Sequence, residues 1–299
     1  MIMSAPSIEK PHLVPVALVA AVAAISFAAI FFRLASPTHP AIAAGVRLAV
    51  AAVLLLPWTV RAALRGKLRG PLLTHAVVAG LFYGLHFGAW VTSLTMTSIA
   101  ASVTLVTTTP LLLAVAGVIT GRDKPTGRLW LLLALAFAGL LILGGGDLRV
   151  GWTALAGDGL ALAGAVAMAG YMLTSRRLGK RLDLWAFSGV ATAVGAVTLL
   201  GGAALCGVPL SVPSWSAFGY LVLAALLPQL VGHTIITWSL RYTKPMVVAL
   251  AVLGEPVGAT ILGVLWLGEA VAPWVAVGCV ITLAAVGAAI VSHRIEPVA

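Results

Sequence analysis

Apolar runs of about 20 residues recur from one end of this 299-residue chain to the other, each long enough to cross roughly 30 Å of hydrocarbon as a helix. Inside a bilayer the backbone must bond to itself, so a chain made of such runs is restricted to a helical bundle. Gly, Pro and charge punctuation place the spans near 14–33, 40–60, 71–95, 98–120, 128–144, 155–175, 184–206, 216–240, 246–267 and 271–292. The expectation is therefore an all-α membrane protein of ten transmembrane helices. Composition agrees: 9% of residues are charged, against roughly 25% in a soluble domain, and the mean hydropathy is +1.12. A secretory signal is excluded by the first run, residues 14–32, which exceeds the roughly 7–15 residues of a signal core and has nine successors.

A net charge of +10 could suggest a nucleic-acid partner, so the placement of the bases decides. Thirteen of the eighteen lie in the loops after the second, fourth, sixth and eighth spans: Arg61, Arg65, Lys67, Arg69; Arg122, Lys124, Arg128; Arg176, Arg177, Lys180, Arg181; and Arg241, Lys244. Lys10 and Arg294 join that side, while the other side holds only Arg33 and Arg149. This is topological charge, with no nucleic acid implied. By the positive-inside rule, both termini are expected to face the cytoplasm. Cys206 and Cys279 lie inside apolar segments with no partner motif and read as packing residues.

A shift of 146 positions superposes Ser93, Leu94, Thr97, Val106, Pro110, Gly117 and Val118 on Ser239, Leu240, Thr243, Val252, Pro256, Gly263 and Val264. With small slips, Gly121 meets Gly268, Pro125 meets Pro273 and Gly139 meets Gly287. Spans one to five and six to ten thus read as two copies of one unit. Because five is odd, the second copy enters the membrane inverted, and equivalent loops should exchange charge. Uncharged 95–98 corresponds to the segment with Arg241 and Lys244, and Arg122-Asp123-Lys124 to a turn whose one charge is Glu269. The expected division is a leader 1–13, a first repeat 14–146, a connecting loop 147–154, a second repeat 155–293 and a tail 294–299. Two inverted halves around a central cavity suit alternating access to a midplane site.

Candidate lining residues follow from polar and aromatic stripes that lipid would not tolerate. The third span carries Tyr83, His86 and Trp90 on one face, and either a cavity wall or buried helix contact accounts for it. On another face Gly80, Gly84 and Gly88 allow a neighbouring helix to approach closely. The eighth span has Gln229, His233 and Thr237 at four-residue spacing, with Trp238 beside them and Pro228 before. His233 and Trp238 fall near the repeat positions of His86 and Trp90, so the two histidines are expected on opposite walls of one cavity; a hydrogen-bonded structural role is the alternative. Neither has a metal-ligand partner at i+3 or i+4, and no metal or cofactor is expected. Met168, Tyr171 and Met172 in the sixth span are adaptable lining or core. Thr107, Thr108 and Thr109 precede Pro110 and can satisfy carbonyls that the proline leaves free.

Arg47 and Glu255 are charges within spans and must be paired, hydrated or snorkelled. Arg47, about two turns from a helix end, could reach interfacial water. Glu255 lies deeper, directly before Pro256. Two readings stand: proton coupling, or a structural carboxylate bonded to free amides or to Arg47. Pro110 and Pro256 are candidate hinges.

Pro40 followed by Arg47, the step Leu253-Gly254-Glu255-Pro256-Val257 and the ending Leu267-Gly268-Glu269 resemble the EamA group of the drug/metabolite transporter superfamily. The first copy departs from that pattern, with Thr109 before Pro110 and Gly121-Arg122-Asp123 in place of Leu-Gly-Glu. The resemblance implies ten helices, inverted repeats and export of metabolites or drugs, and is strongest to exporters of aromatic amino acids. The expected partners are a small-molecule substrate and membrane lipid, with homo-oligomerisation open. Organic cations are the alternative cargo. A channel or an intramembrane enzyme is the rival class, although no His-Glu-x-x-His, Gly-x-Ser-x-Gly or phosphate-binding Gly-rich loop occurs.

Overall fold

The computed structural model describes residues 11–97, 99–144, 151–268 and 270–292. Lys10 and the leader before it, Ser98, Arg149, Glu269 of the Leu-Gly-Glu ending, and Arg294 with the tail lie outside the described residues. The described regular structure is all helical. In chain order it comprises α1 (Val14–Leu34), α2 (Pro40–Leu64), α3 (Gly70–Met96), α4 (Ile99–Val106 and Thr109–Thr120) and α5 (Gly127–Gly144). It continues with α6 (Trp152–Leu178), α7 (Leu184–Leu205), α8 (Trp215–Ser239), α9 (Pro245–Val252 and Glu255–Leu267) and α10 (Pro273–Ser292). Nine of the described helices are long and apolar enough to span a membrane, and Gly127–Leu143 is a shorter apolar one. Their outward faces carry large apolar side chains such as Leu64, Trp152, Leu205, Trp215 and Val291, each more than four-fifths exposed. Lipid, not water, is the solvent that such a surface requires.

The helix ends follow from local chemistry. Pro40 sits in the first turn of α2, where its missing N–H costs nothing, and the His39 ring accepts the Ala41 N–H. Asp183 caps α7 by accepting the N–H groups of Trp185 and Ala186, both at 3.1 Å, and Ser214 caps α8 from the Ala217 N–H at 3.0 Å. Gly121 and Gly268 close α4 and α9 in the left-handed conformation, at φ 71° and 66°.

Four helices are interrupted. α1 breaks after Ile25, where the Ser26 hydroxyl donates to the Val22 carbonyl. α4 breaks at Thr107–Thr108 and α9 at Leu253–Gly254, each just before a proline. Pro110 cannot donate to the Val106 carbonyl, and the Thr109 hydroxyl takes over that bond at 3.1 Å. In α8, residues Ala225–His233 form a π-helix around Pro228.

Repeat-equivalent helices pack together across the middle. α2 lies against α7, and α5 against α10 through Gly139, Gly278 and Thr282. α3 meets α7 along Gly80 and Gly84; a Cβ on Gly84 would stand 3.0 Å from the Gly195 Cα, which is why the small-residue ladder is there.

Candidate functional site

The four interrupted helices converge on one internal cavity. Ala28 of α1, Thr107, Thr109 and Pro110 of α4, His233 and Ile236 of α8, and Val252, Leu253 and Glu255 of α9 all reach it. Arg47 of α2, His86, Phe87 and Trp90 of α3, and Met168 and Met172 of α6 complete most of the wall. Both halves contribute. The space open to the centre of a water-sized sphere is about 50 Å³, at roughly 10–15 Å³ per water enough for a few small atoms' worth of solute without rearrangement.

Four rings, His86, Phe87, Trp90 and His233, lie in the lining. His86 lies parallel to Trp90 at 6.2 Å between centroids, and its Nδ1 stands 2.9 Å from the Gly164 carbonyl. A carbonyl only accepts, so that nitrogen carries the proton and Nε2 is left as an acceptor. Phe87 sits between His86 and His233, edge-on to both, at 4.8 and 5.4 Å. The Nδ1 of His233 and the indole N–H of Trp90 are buried and have no hydrogen-bond partner in the protein.

Arg47 does not reach interfacial water. Its side chain is 0% exposed, because Phe87 and Phe32 cover the guanidinium at 4.4 and 5.6 Å from their ring centroids. None of its three guanidinium nitrogens has a hydrogen-bond partner in the protein. Glu255 is half-buried on the same cavity, and no ion pair joins the two among the described residues. The contact at Glu255 is through its backbone carbonyl, which the Ser26 hydroxyl approaches at 3.4 Å.

Tyr83, Tyr171, Gln229 and Thr237 lie outside the lining and form a layer beside it. Tyr83 stacks on Tyr171 at 4.3 Å and accepts from the Gln229 amide at 2.8 Å, two residues separated by the repeat spacing of 146. The Thr237 hydroxyl donates to the His233 carbonyl, so Tyr171 donates to Thr237 in their 2.7 Å contact. On α3, Tyr83 falls between the lining residues and the helix end that carries the basic loop. Further out, Arg176 donates to the Leu240 carbonyl at 3.0 Å and faces Asp123 at 3.6 Å, while Arg241 donates to the Leu182 carbonyl at 2.9 Å. Burial holds the Arg241 guanidinium below its ordinary pKa, with Asp183 opposing the shift. These contacts join α6 and the α4–α5, α6–α7 and α8–α9 loops at the basic end of the bundle.

Trp238 packs on Tyr242 at 4.9 Å and Pro256 is buried behind Glu255, so neither forms wall. Phe87 and Phe32 were invisible in the sequence: nothing separates them from the other apolar residues of their helices until Arg47 is placed against them. Among the described residues no three His, Cys, Asp or Glu side chains group as a metal site.

This is a multi-pass helical membrane protein whose two halves enclose a common internal site. The chain belongs to the EamA-like transporter family, whose sequence model matches twice, over residues 13–145 and 155–291. The family consists of transporters of small molecules, and it places a solute and the surrounding lipid as the partners of this fold. No curated protein matches the sequence. Among solved structures 29 chains match. One, described only as a crystal structure of a protein, is 18% identical with a TM-score of 0.73 over 93% of this chain and 96% of its own, so the two share a fold.

Proposed function

We propose that the protein is a secondary exporter in a prokaryotic cytoplasmic membrane, moving aromatic or other hydrophobic amino acids by alternating access between its two repeats. The observation that carries this reading is a cavity to which α1–α4 and α6, α8 and α9 all contribute, with the rings of His86, Phe87, Trp90 and His233 in its wall. Flat apolar faces with polar tips suit a solute that is aromatic at one end and polar at the other. Alternation requires that one end close while the other opens, and on this reading the Tyr83–Tyr171 layer and the Arg176 and Arg241 contacts belong to an end that closes. The basic loops put that end, and both termini, in the cytoplasm. With no phosphate-binding loop, gradients or the solute itself supply the energy, and Glu255 is the group through which a proton gradient would act.

Organic cations are the second reading, favoured by the Glu255 carboxylate beside aromatic faces. Counter-flow of labelled L-phenylalanine into proteoliposomes tests the first. Saturable uptake driven by internal unlabelled phenylalanine is expected. Flux that rises linearly without saturation would make the protein a channel, and no flux of any solute would remove the transport reading.

A further inference from the structure

The cavity has an imbalance that a transporter for organic cations would not need. Its largest set of buried unpartnered polar atoms consists of donors. Arg47 contributes three guanidinium nitrogens carrying five N–H groups, all buried and none bonded within the protein. The Trp90 indole N–H and the His233 Nδ1 line the same cavity and are likewise buried without partners. On the other side, Thr107 and Thr109 spend their hydroxyl protons on carbonyls of their own helix, and Glu255 stays out of ion-pair range of Arg47.

A buried guanidinium without an anion is costly, and its ring contacts satisfy none of its N–H groups. A structural arginine in a membrane protein removes that cost by pairing with a carboxylate or with backbone carbonyls. Arg47 does neither, although Glu255 borders the same cavity. Phe87 and Phe32 hold it from the side while leaving its donors uncommitted. The second repeat has no counterpart, since no charged residue occurs from Leu184 to Leu205 in α7.

From this we infer that Arg47 is the receptor for a carboxylate on the transported solute, assisted by the Trp90 N–H and His233, so that the cargo must carry an anionic group. The inference rests on the cavity being the solute site, as proposed above. It assigns Arg47 a binding role and makes amines that lack a carboxylate poor cargo. A planar fork of donors matches the two oxygens of a carboxylate in a way that a point charge does not.

Three solutes that differ only in their ionic ends test it: L-phenylalanine, 3-phenylpropionate and phenethylamine. Thermal unfolding of the purified protein in detergent is followed against each, with wild type, Arg47→Met and Arg47→Gln. Both carboxylates are expected to raise the wild-type Tm saturably, with phenethylamine inert. In both variants the half-saturating carboxylate concentration is expected to rise by about ten- to a hundredfold, the equivalent of one or two charge-assisted hydrogen bonds. The ligand-free variants should unfold at or above the wild-type temperature, because an unpaired buried charge has been removed. A structural arginine would do the reverse, lowering the ligand-free Tm while the carboxylate response persisted, and that result overturns the inference. So does a Tm response to phenethylamine alone, or no response to either carboxylate. Saturable counter-flow of any of the three solutes in proteoliposomes would, in those cases, leave the transporter reading standing without the anion site.

Discussion

The two repeats share a scaffold and divide the chemistry between them. In the first, α4 breaks at a Thr109-Pro110 step, and the threonine hydroxyl satisfies the Val106 carbonyl that the proline abandons. In the second, the equivalent break in α9 carries Glu255-Pro256, and the carboxyl side chain borders the cavity. α2 brings Arg47, whereas α7 brings no charge at all. α3 runs as unbroken α-helix from Gly70 to Met96, while its counterpart α8 widens into a π-helix around Pro228. Symmetry thus accounts for the matched breaks in α4 and α9, and asymmetry for the breaks in α1 and α8 and for what the cavity can hold: one cation from the first copy and one carboxyl group from the second, not paired with each other.

The comparison can be broken most severely at α3. Gly84 packs against Gly195, while Leu230 stands 146 residues on, so a large side chain is admitted in one copy only. Gly84→Leu should cost about 3 kcal/mol or more by forcing α3 off α7, seen as loss of the monodisperse peak in size-exclusion chromatography, with Leu230→Ala still monodisperse. At the equivalent proline steps, Glu255→Gln should reduce gradient-driven accumulation to the level measured without a gradient and leave downhill counter-flow running. If both vanish, the carboxylate does something other than couple protons. Thr109→Gln, at the matching position, should not abolish gradient dependence.

A milder test compares Trp90 with Ile236, which occupies the 146-shifted position and also lines the cavity. Trp90→Ala should raise the half-saturating solute concentration about tenfold, from the loss of aromatic stacking and an N–H donor, with insertion unchanged; equal flux in proteoliposomes would refute its role. Ile236→Ala should do less. Smallest is Thr109→Val, which leaves the Val106 and Ala165 carbonyls without that hydroxyl and should lower stability by about 1 kcal/mol, read from chemical denaturation in detergent.

Much of the architecture was legible before any coordinates, and for one reason: lipid leaves a backbone few options. Each predicted span agrees with a described helix to within three or four residues, and the glycines of α3 do admit a neighbour, α7. The repeat shift, read from residues such as Ser93 and Pro110, corresponds to the two stretches that the family model matches. Part of the cavity lining was legible too, because Arg47, His86, Trp90, His233 and Glu255 are polar or amphipathic where hydrocarbon would reject them, and all five border the cavity.

Other assignments were beyond any reading of one helix at a time. Tyr83 and Trp90 share a stripe on α3, yet Trp90 forms wall while Tyr83 stacks on Tyr171 in the adjoining layer, a division set by which neighbouring helix each ring meets. Arg47 was placed two turns from a helix end, where snorkelling to water was reasonable; Phe32 and Phe87, from two other helices, cover it instead. The pairing offered for Glu255 with Arg47 does not occur among the described residues. The sequence by itself determined the helices, the proline-linked breaks in α4, α8 and α9 and the twofold plan, since those depend on hydropathy and on prolines acting locally. Only the tertiary structure decided which polar groups find partners and which are left facing the cavity, because a hydrogen bond between helices depends on distances of a few tenths of an ångström that no periodicity encodes.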